Sequence, residues 1–227
     1  MNRYFLIKEK FPREFILLQG LGCVWKRCTF CDYYNDVSAD PFYINKPIID
    51  QITGQTGVID VINSGSAMEL DNKTLEYLKL KVRENNIKTL WFEAHWLYRD
   101  KLSDFAKNFP NCSVKYRIGV ETFDPNLRST LKKGIPSYVK PQDISKYFNG
   151  GCLLVGLEGQ TRSIIENDIS LALKYFEYFS VNVFNENSTN IKRDENLIKW
   201  FLKKVYPSIK DNPKVEILIN NTDLGVG

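Results

Sequence analysis

The segment GCVWKRCTFCDYY, residues 22–34, places three cysteines within nine residues, directly after an apolar run at 15–19 that is typical of a buried strand. Thiolates this close can converge on one soft metal centre, and iron–sulfur clusters are held by such ligands. A [4Fe–4S] cluster held by Cys23, Cys28 and Cys31 keeps one iron open for a ligand that is not protein. The segment therefore predicts an iron–sulfur site at the end of the first strand.

A structural zinc site and a group of buried thiols without metal are the alternatives for this segment. Zinc sites usually have four protein ligands with paired spacing, and the sequence offers no second pair. His95 is the only histidine, and Cys112 and Cys152 stand alone inside strand patterns, where we expect them in the core. The charged residues of the segment argue against full burial of its thiols.

Length and charge restrict the class of protein. The 227 residues fit one domain, predicted over 1–227 with its core at about 15–220, and the 43% hydrophobic and 26% charged content is ordinary for a globular protein. The net charge of +4 comes from scattered lysines, which argues against nucleic-acid binding. The first residues do not form a secretory signal, and no run reaches the roughly 18 apolar residues of a membrane span. We therefore expect a cytoplasmic protein with reduced thiols and no membrane contact.

Apolar β-type runs alternate with helical patterns along the chain, which predicts βαβ units and an α/β fold with a parallel sheet. A complete eight-fold barrel typically needs about 250 residues, so we expect a partial barrel. Functional side chains in such folds lie just after the strands. The strands are predicted at 15–19, 58–62, 87–93, 113–121, 152–157, 179–184 and 215–219, and the helices near 47–51, from 72, at 99–108, after 124, at 164–176 and at 196–205.

Over roughly residues 15–190 the chain resembles the radical S-adenosylmethionine (SAM) superfamily. Its members bind a [4Fe–4S] cluster through three cysteines in a loop after the first strand of a single-domain partial (β/α)6 barrel, with an aromatic residue before the third cysteine, here Phe30. The usual spacing is Cys-x3-Cys-x2-Cys, whereas this chain has Cys-x4-Cys-x2-Cys. The extra residue changes the shape of the loop more than the number of ligands. The resemblance implies that Cys23, Cys28 and Cys31 hold the cluster and that SAM binds its open iron.

The resemblance also implies a set of SAM-binding positions at the strand ends. Ser64, Gly65 and Ser66 stand where the superfamily has a small-residue motif whose backbone meets the SAM amino group, although such a stretch by itself is usually a turn. The segment RIGVET, residues 117–122, is similar to a Gly-x-Glu-Thr segment in which Glu121 or Arg117 binds SAM.

Two features of the later strands complete this set. Strand alternation places Arg117, Gly119 and Glu121 on one face, and a purely structural Arg–Glu pair is the alternative. Asn182 and Asn185, near the end of the sixth predicted strand, are candidates for contacts with SAM, and a capped loop is the alternative there.

Catalytic and substrate-binding candidates follow the third and fifth predicted strands. His95 and Glu93 are the catalytic candidates, and a structurally satisfied histidine is the alternative for His95. Glu93, Glu121 or Glu158 can pair with the N–H edge of a guanine-like base, since a carboxylate accepts from such donors. Trp96 and Tyr33 or its neighbour Tyr34 can stack on such a base.

The resemblance implies that the protein reductively cleaves SAM and abstracts hydrogen from a small-molecule substrate, with an electron donor such as flavodoxin or ferredoxin. Among short members of the superfamily the chain is similar to the queuine lyases. These break a C–N bond of queuine and release 7-aminomethyl-7-deazaguanine for queuosine salvage. A 7-carboxy-7-deazaguanine synthase and an activase of a glycyl-radical enzyme are the enzymatic alternatives. A zinc-stabilised binding module is the alternative without catalysis.

Overall fold

The computed structural model describes residues 2–225 and shows an α/β protein whose strands follow one another across an eight-stranded sheet in chain order. The first strand pairs antiparallel with the second. The second, third and fourth strands pair parallel with one another, and so do the fifth to eighth strands. The strands are β1 Tyr4–Ile7, β2 Arg13–Leu18, β3 Val58–Asn63, β4 Thr89–Glu93, β5 Ser113–Glu121, β6 Gly150–Val155, β7 Tyr178–Val183 and β8 Val215–Leu218.

Helices connect the parallel strands, as the alternating pattern predicts. The α-helices are α1 Pro41–Ile49, α2 Asn72–Glu84, α3 Leu102–Ala106, α4 Pro125–Thr130, α5 Pro141–Ile144, α6 Arg162–Tyr175, α7 Glu195–Lys204 and α8 Tyr206–Ile209. Three 3₁₀ turns lie at Tyr33–Asn35, Ala67–Glu69 and Trp96–Lys101. Between residues 2 and 225, no helix is both long enough and apolar enough to cross a membrane.

The described chain divides into two compact units. The first contains 2–26, 33–116 and 222–225, and the second contains 27–32 and 117–221, so that β5 begins in the first unit and ends in the second. The prediction of one domain over 1–227 remains a prediction. Its outermost residues, Met1, Val226 and Gly227, lie outside the described range.

Each unit has its own apolar core. In the first unit, α1 packs on β2 and on α2, and the buried side chains include Phe15, Ile59, Leu78 and Phe92. In the second unit, α6 and α7 pack on β6, and α6 also packs on β7. The buried side chains there include Phe148, Phe176, Phe179 and Phe201.

Local capping explains where two helices begin. The Asp71 side chain accepts a hydrogen bond from the Thr74 N–H (2.9 Å) and starts α2 at the predicted residue. Asp124 accepts from the Asn126 and Leu127 N–H groups (3.1 and 2.7 Å), with Pro125 in the first turn of α4, as predicted.

Several elements differ from the sequence-based expectation, and the short helices α5 and α8 were not predicted. Strand β1 was not predicted, because the charged residues that follow it masked a run of only four residues. Helix α1 begins six residues before the predicted start, since Pro41 rather than Pro47 occupies the first turn. The helix expected at 99–108 is divided into a 3₁₀ turn that starts at Trp96 and the short helix α3, because His95 caps the chain earlier.

Candidate active site

The first part of the cysteine loop is attached to the residues that follow β3, within the first unit. The Gly20 N–H donates to Ser64 Oγ (3.2 Å). The Leu21 N–H donates to the Glu69 carbonyl (3.0 Å), and the Val24 N–H donates to Glu69 Oε1 (3.0 Å). These bonds fix the backbone on both sides of Cys23, which is partly exposed.

The Ser64–Ser66 turn is closely packed against the same glutamate. The Ser66 N–H donates to Glu69 Oε2 (2.6 Å). A Cβ atom at Gly65 would lie 1.9 Å from Glu69 Oε2, so a larger residue there would displace the carboxylate. Asn63 donates through Nδ2 to the Ser66 carbonyl (3.1 Å), and its buried Oδ1 has no hydrogen-bond partner among the described residues. That acceptor is available to a ligand that carries N–H donors, as the SAM amino group does.

His95 joins this network through its backbone and its ring. Its N–H donates to Ser66 Oγ (3.0 Å), and its Nδ1 accepts from the Leu97 N–H (3.2 Å). The imidazole stacks on Trp25 of the cysteine loop, with ring centroids 5.1 Å apart and planes 21° apart. Because Nδ1 is an acceptor, the neutral ring carries its proton on Nε2. The structure therefore shows the structurally engaged histidine, and its catalytic role remains a prediction.

The remaining candidates of the first unit differ in exposure. Trp96 is buried, and the Arg99 guanidinium lies 5.0 Å from the centre of its ring. Tyr33 is 63% exposed, and Glu93 is partly exposed at the end of β4. Tyr33 therefore offers a ring face more readily than Trp96 does.

The second part of the cysteine loop, residues 27–32, is folded into the second unit. The Cys31 N–H donates to the Cys28 carbonyl (3.4 Å), and the Thr29 N–H donates to the Leu131 carbonyl (3.1 Å). Phe30 lies in an apolar cluster with Leu131, Leu157 and Phe184, and the two cysteines pack against that cluster. The aromatic residue before the third cysteine thus anchors the loop in the core.

Polar contacts hold the far end of the same segment. The Asn187 amide donates to the Phe30 carbonyl (2.8 Å). Ser188 donates to Asp32 Oδ2 through both its backbone N–H (3.0 Å) and its hydroxyl (2.8 Å). Asn187 and Ser188 both belong to the polar stretch after the sixth predicted strand, where contacts with SAM were expected and a capped loop was the alternative; their role in holding the cysteine loop was not predicted.

A buried ion pair lies beside this segment. Lys133 Nζ is 2.8 Å from Glu121 Oε1 and 5.5 Å from the centre of the Phe30 ring. Burial alone lowers the pKa of Lys133, but the Glu121 carboxylate and the thiols of Cys28 and Cys31 outweigh burial and raise it. Lys133 is therefore a fixed positive charge near two of the predicted cluster ligands.

The end of β5 is shaped by this pair. Glu121 has a φ angle of 65°, and the pairing with β6 is irregular between Gly119 and Glu121. A Cβ atom at Gly119 would lie 2.4 Å from Glu121 Oε1, so that glycine makes room for the carboxylate. Arg117 is buried in the same strand. Glu121 is thus engaged by Lys133, and its predicted contact with SAM remains a prediction.

Of the later candidates, Asn185 already hydrogen-bonds to other protein groups, and Glu158 is exposed. The Asn185 amide donates to the carbonyls of Val183 and Ile219 (3.1 and 3.3 Å), and its Oδ1 accepts from Arg193 (3.0 Å). Glu158 is exposed, and its N–H donates to the Lys192 carbonyl.

Asn182 differs from these two candidates. Its buried Oδ1 has no hydrogen-bond partner within residues 2–225, so it keeps an acceptor that a bound molecule could use. Of the two predicted asparagines, Asn182 is therefore the better candidate for a ligand contact.

The chemistry of the cysteine loop fits an iron–sulfur cluster. All five cysteines are thiols rather than disulfides, and Cys23, Cys28 and Cys31 are each partly exposed. In the described part of the chain, no three His, Cys, Asp or Glu side chains are grouped as the ligands of a single ion. The cysteines of a four-iron cluster each bind a different iron, so they lie farther apart than the ligands of one ion. Three soft thiols in one anchored loop are the donor set that such a cluster requires.

Glu69 and Lys133 are further residues of the site that the sequence analysis did not single out. Glu69 follows Ser66 by three residues, which is the Ser-x-x-Glu spacing of a capping box and was a usable signal. No local pattern identifies Lys133, because the residues around it come from separate parts of the chain.

Comparison with known proteins supports the family on which these predictions rest. No family model and no curated protein matches the chain. Among solved structures, the chain is similar to a queuine lyase from Clostridium spiroforme bound to SAM and queuine, with 42% sequence identity and a TM-score of 0.95. The match covers 100% of this chain and 99% of that one. On this full-length similarity, the chain belongs to the queuine lyase family of radical SAM enzymes.

Proposed function

We propose that this protein cleaves queuine in a SAM-dependent radical reaction and releases 7-aminomethyl-7-deazaguanine. The observation that carries the proposal is the 42% identity, over the full chain, to a queuine lyase whose structure holds SAM and queuine. The eight-stranded sheet with its strands in chain order and helices between them agrees with that assignment.

Cys23, Cys28 and Cys31 would hold a [4Fe–4S] cluster, with SAM on its open iron. When bound, this group supplies the electron that splits SAM into methionine and the 5′-deoxyadenosyl radical, which takes hydrogen from the substrate. The chain's own contribution is to fix the loop. Phe30 anchors it in an apolar core, and Lys133 places a positive charge near two of the thiols.

SAM would contact the turn at Ser64, Gly65 and Ser66 and the polar groups of later strands. Among the buried acceptors that lack a hydrogen-bond partner within residues 2–225 are Asn63 Oδ1 and Asn182 Oδ1. They support this proposal because a ligand with N–H donors would satisfy them. Arg117, Glu121 and Asn185 complete the proposed set. Asn185 already bonds to protein groups through both ends of its amide, so we assign it an indirect role.

Queuine would meet carboxylates and aromatic rings. Glu93 and Glu158 would accept from the N–H edge of the deazapurine, and Tyr33 would stack on it. Trp96 is buried beside Arg99, so its contact with queuine would be made inside the protein rather than at the surface. His95 would donate a proton during C–N cleavage through the ring nitrogen that does not cap Leu97.

The decisive experiment reconstitutes the protein with iron and sulfide without oxygen, adds SAM, dithionite and queuine, and measures 5′-deoxyadenosine and 7-aminomethyl-7-deazaguanine. Cys28→Ala should lose iron and both products. Cys112→Ala is the matched control, because that thiol is also partly exposed but donates to the Ile87 carbonyl (3.0 Å). SAM cleavage without turnover of queuine would leave the family intact and reject the substrate. A colourless zinc protein would reject the cluster.

We further propose a cytoplasmic protein that receives electrons from a donor such as flavodoxin or ferredoxin and folds as one domain. Reduced flavodoxin and ferredoxin can each replace dithionite in the same assay. A single cooperative unfolding transition, seen by two spectroscopic probes, is the expected result for one domain.

A further inference from the structure

We propose that Glu69 is a positioning residue that sets the first part of the cysteine loop, residues 20–25, in its cluster-binding conformation. The inference rests on the proposed function, because it concerns the cluster that Cys23 would help to hold. Glu69 lies in the 3₁₀ turn after β3 and is only 6% exposed.

The Glu69 carboxylate collects three donors from separate segments. The Val24 N–H donates to Oε1 (3.0 Å), the Tyr98 hydroxyl donates to Oε1 (3.0 Å), and the Ser66 N–H donates to Oε2 (2.6 Å). A carboxylate accepts hydrogen bonds at both of its oxygens, whereas the amide of glutamine, a side chain of the same size, accepts at only one atom. Glutamate is therefore the side chain of this size that can satisfy all three donors. Glu69 thus joins the loop, the Ser64–Ser66 turn and the turn after β4.

Two neighbours are adapted to this carboxylate. Gly65 leaves the space that Oε2 occupies, since a Cβ atom there would lie 1.9 Å from it. Burial raises the pKa of the Tyr98 hydroxyl, and Glu69 and the Cys23 thiol raise it further, so Tyr98 remains a donor. The glycine of the small-residue turn therefore serves the protein's own carboxylate as well as a ligand.

The bond from Val24 explains why Glu69 would affect the cluster. Val24 directly follows Cys23, and the Leu21 N–H donates to the Glu69 carbonyl (3.0 Å) on the other side of that cysteine. One residue thus fixes the backbone before and after the first proposed ligand. Fixing this backbone before the cluster binds lowers the entropy that is lost on binding, as outer-shell partners do at other metal sites.

The chain contains a matched control for this site. Glu14 in β2 is fully buried and also accepts from a tyrosine and from two backbone groups: the Tyr4 hydroxyl (3.0 Å), the Thr53 N–H (2.8 Å) and the Gly54 N–H (2.7 Å). It lies in the first unit near the start of β2, whereas the cysteine loop follows the end of that strand. A change at Glu14 should therefore disturb stability without touching the loop.

The experiment compares Glu69→Gln with Glu14→Gln in the full-length protein. Glutamine keeps the size, but its amide NH₂ must face a donor in each site. We expect similar decreases in the urea midpoint of the two cluster-free variants. After anaerobic reconstitution, only Glu69→Gln should lose its absorbance near 400 nm about 10–100-fold faster under chelator challenge. Its reduced-cluster electron paramagnetic resonance (EPR) spectrum should also respond less to added SAM.

The inference is overturned if Glu69→Gln retains iron and the SAM-induced EPR change as well as the wild type does. It is also overturned if Glu14→Gln loses its cluster as fast as Glu69→Gln does. A wild-type protein that binds no iron would overturn the proposed function and this inference together. If Glu69→Gln does not fold, Tyr98→Phe and Tyr4→Phe ask the same question with one hydroxyl removed from each site. Faster cluster loss in Tyr98→Phe alone then supports the inference, and equal rates in both overturn it.

Discussion

Lys133 donates a hydrogen bond to Glu121 across 2.8 Å, with their side chains only 13% and 8% exposed. The pair lies at the end of β5, and the thiols of Cys28 and Cys31 are close enough to raise the pKa of the lysine. Such a pair has two effects. It compensates a buried carboxylate, and it places a positive charge near ligands that become more negative when a cluster is reduced.

Lys133→Met should destabilise the cluster-free protein by about 3–5 kcal/mol, because it leaves Glu121 buried without its cation. Urea denaturation measures this loss, and the double variant Lys133→Met/Glu121→Gln should recover part of it. In the reconstituted protein, the reduction potential should become more negative, as followed by potentiometric EPR titration. Lys132→Met, an exposed neighbour, should change neither quantity.

Gly65→Ala should displace the Glu69 carboxylate, because the added methyl group would lie 1.9 Å from Oε2. We expect a loss of about 1–3 kcal/mol in the free energy of unfolding, typical of overpacking. The double variant with Glu69→Ala completes a cycle. A cost of Gly65→Ala that is smaller in the Glu69→Ala background confirms the contact, and an unchanged cost contradicts it.

His95→Phe tests the proposed proton donor while it keeps an aromatic ring against Trp25. We expect near-normal iron content but at least about 100-fold less 7-aminomethyl-7-deazaguanine, in line with the contribution of general acids. His95→Asn, which can still accept from the Leu97 N–H, controls for the lost cap. Normal turnover of queuine in either variant would show that His95 has a structural role only.

Asp168 should make the stability of the protein depend on pH. Burial raises the pKa of this carboxyl to about 7, although the Phe123 N–H donates to it (2.7 Å) and Arg128 lies nearby; Asp124 adds to the increase. Between about pH 4 and pH 7 the unfolded chain releases this proton while the folded protein keeps it, so stability decreases as pH rises. The loss amounts to about 4 kcal/mol at most.

Asp168→Asn removes this titration and keeps an acceptor for Phe123. Its free energy of unfolding, measured by urea denaturation at several pH values, should vary less between pH 4 and pH 7 than that of the wild type. If the free energy of unfolding of Asp168→Asn varies with pH in parallel with that of the wild type, a group other than Asp168 is responsible for the titration.

Local signals predicted much of the fold. The caps at Asp71 and Asp124 fixed two helix starts, and β5 spans the predicted residues, because capping and strand alternation act over a few neighbouring positions. Strand β1 was missed, since four residues carry too little periodicity. It forms because it pairs with β2, a contact that local sequence does not specify.

Local sequence likewise predicted one part of the candidate site and not the rest. The spacing of the cysteines and the position of Phe30 are local, and they indicated the cluster and the family. The roles of Glu69 and Lys133 depend on side chains that meet only after folding, so no spacing reveals the full set of their contacts. The irregularity between Gly119 and Glu121 lies beside the lysine pair, and no local pattern predicted it either.

Strand β1 also shields the flank of its neighbour. Its antiparallel pairing, from Tyr4 opposite Ile16 to Ile7 opposite Arg13, covers backbone groups of β2 that would otherwise face solvent. A protein shortened by its first ten residues would present that row as a template for strands of other molecules. Such a truncated form is therefore prone to aggregate, and purification tags are better placed as extensions of the N-terminus than as replacements for it.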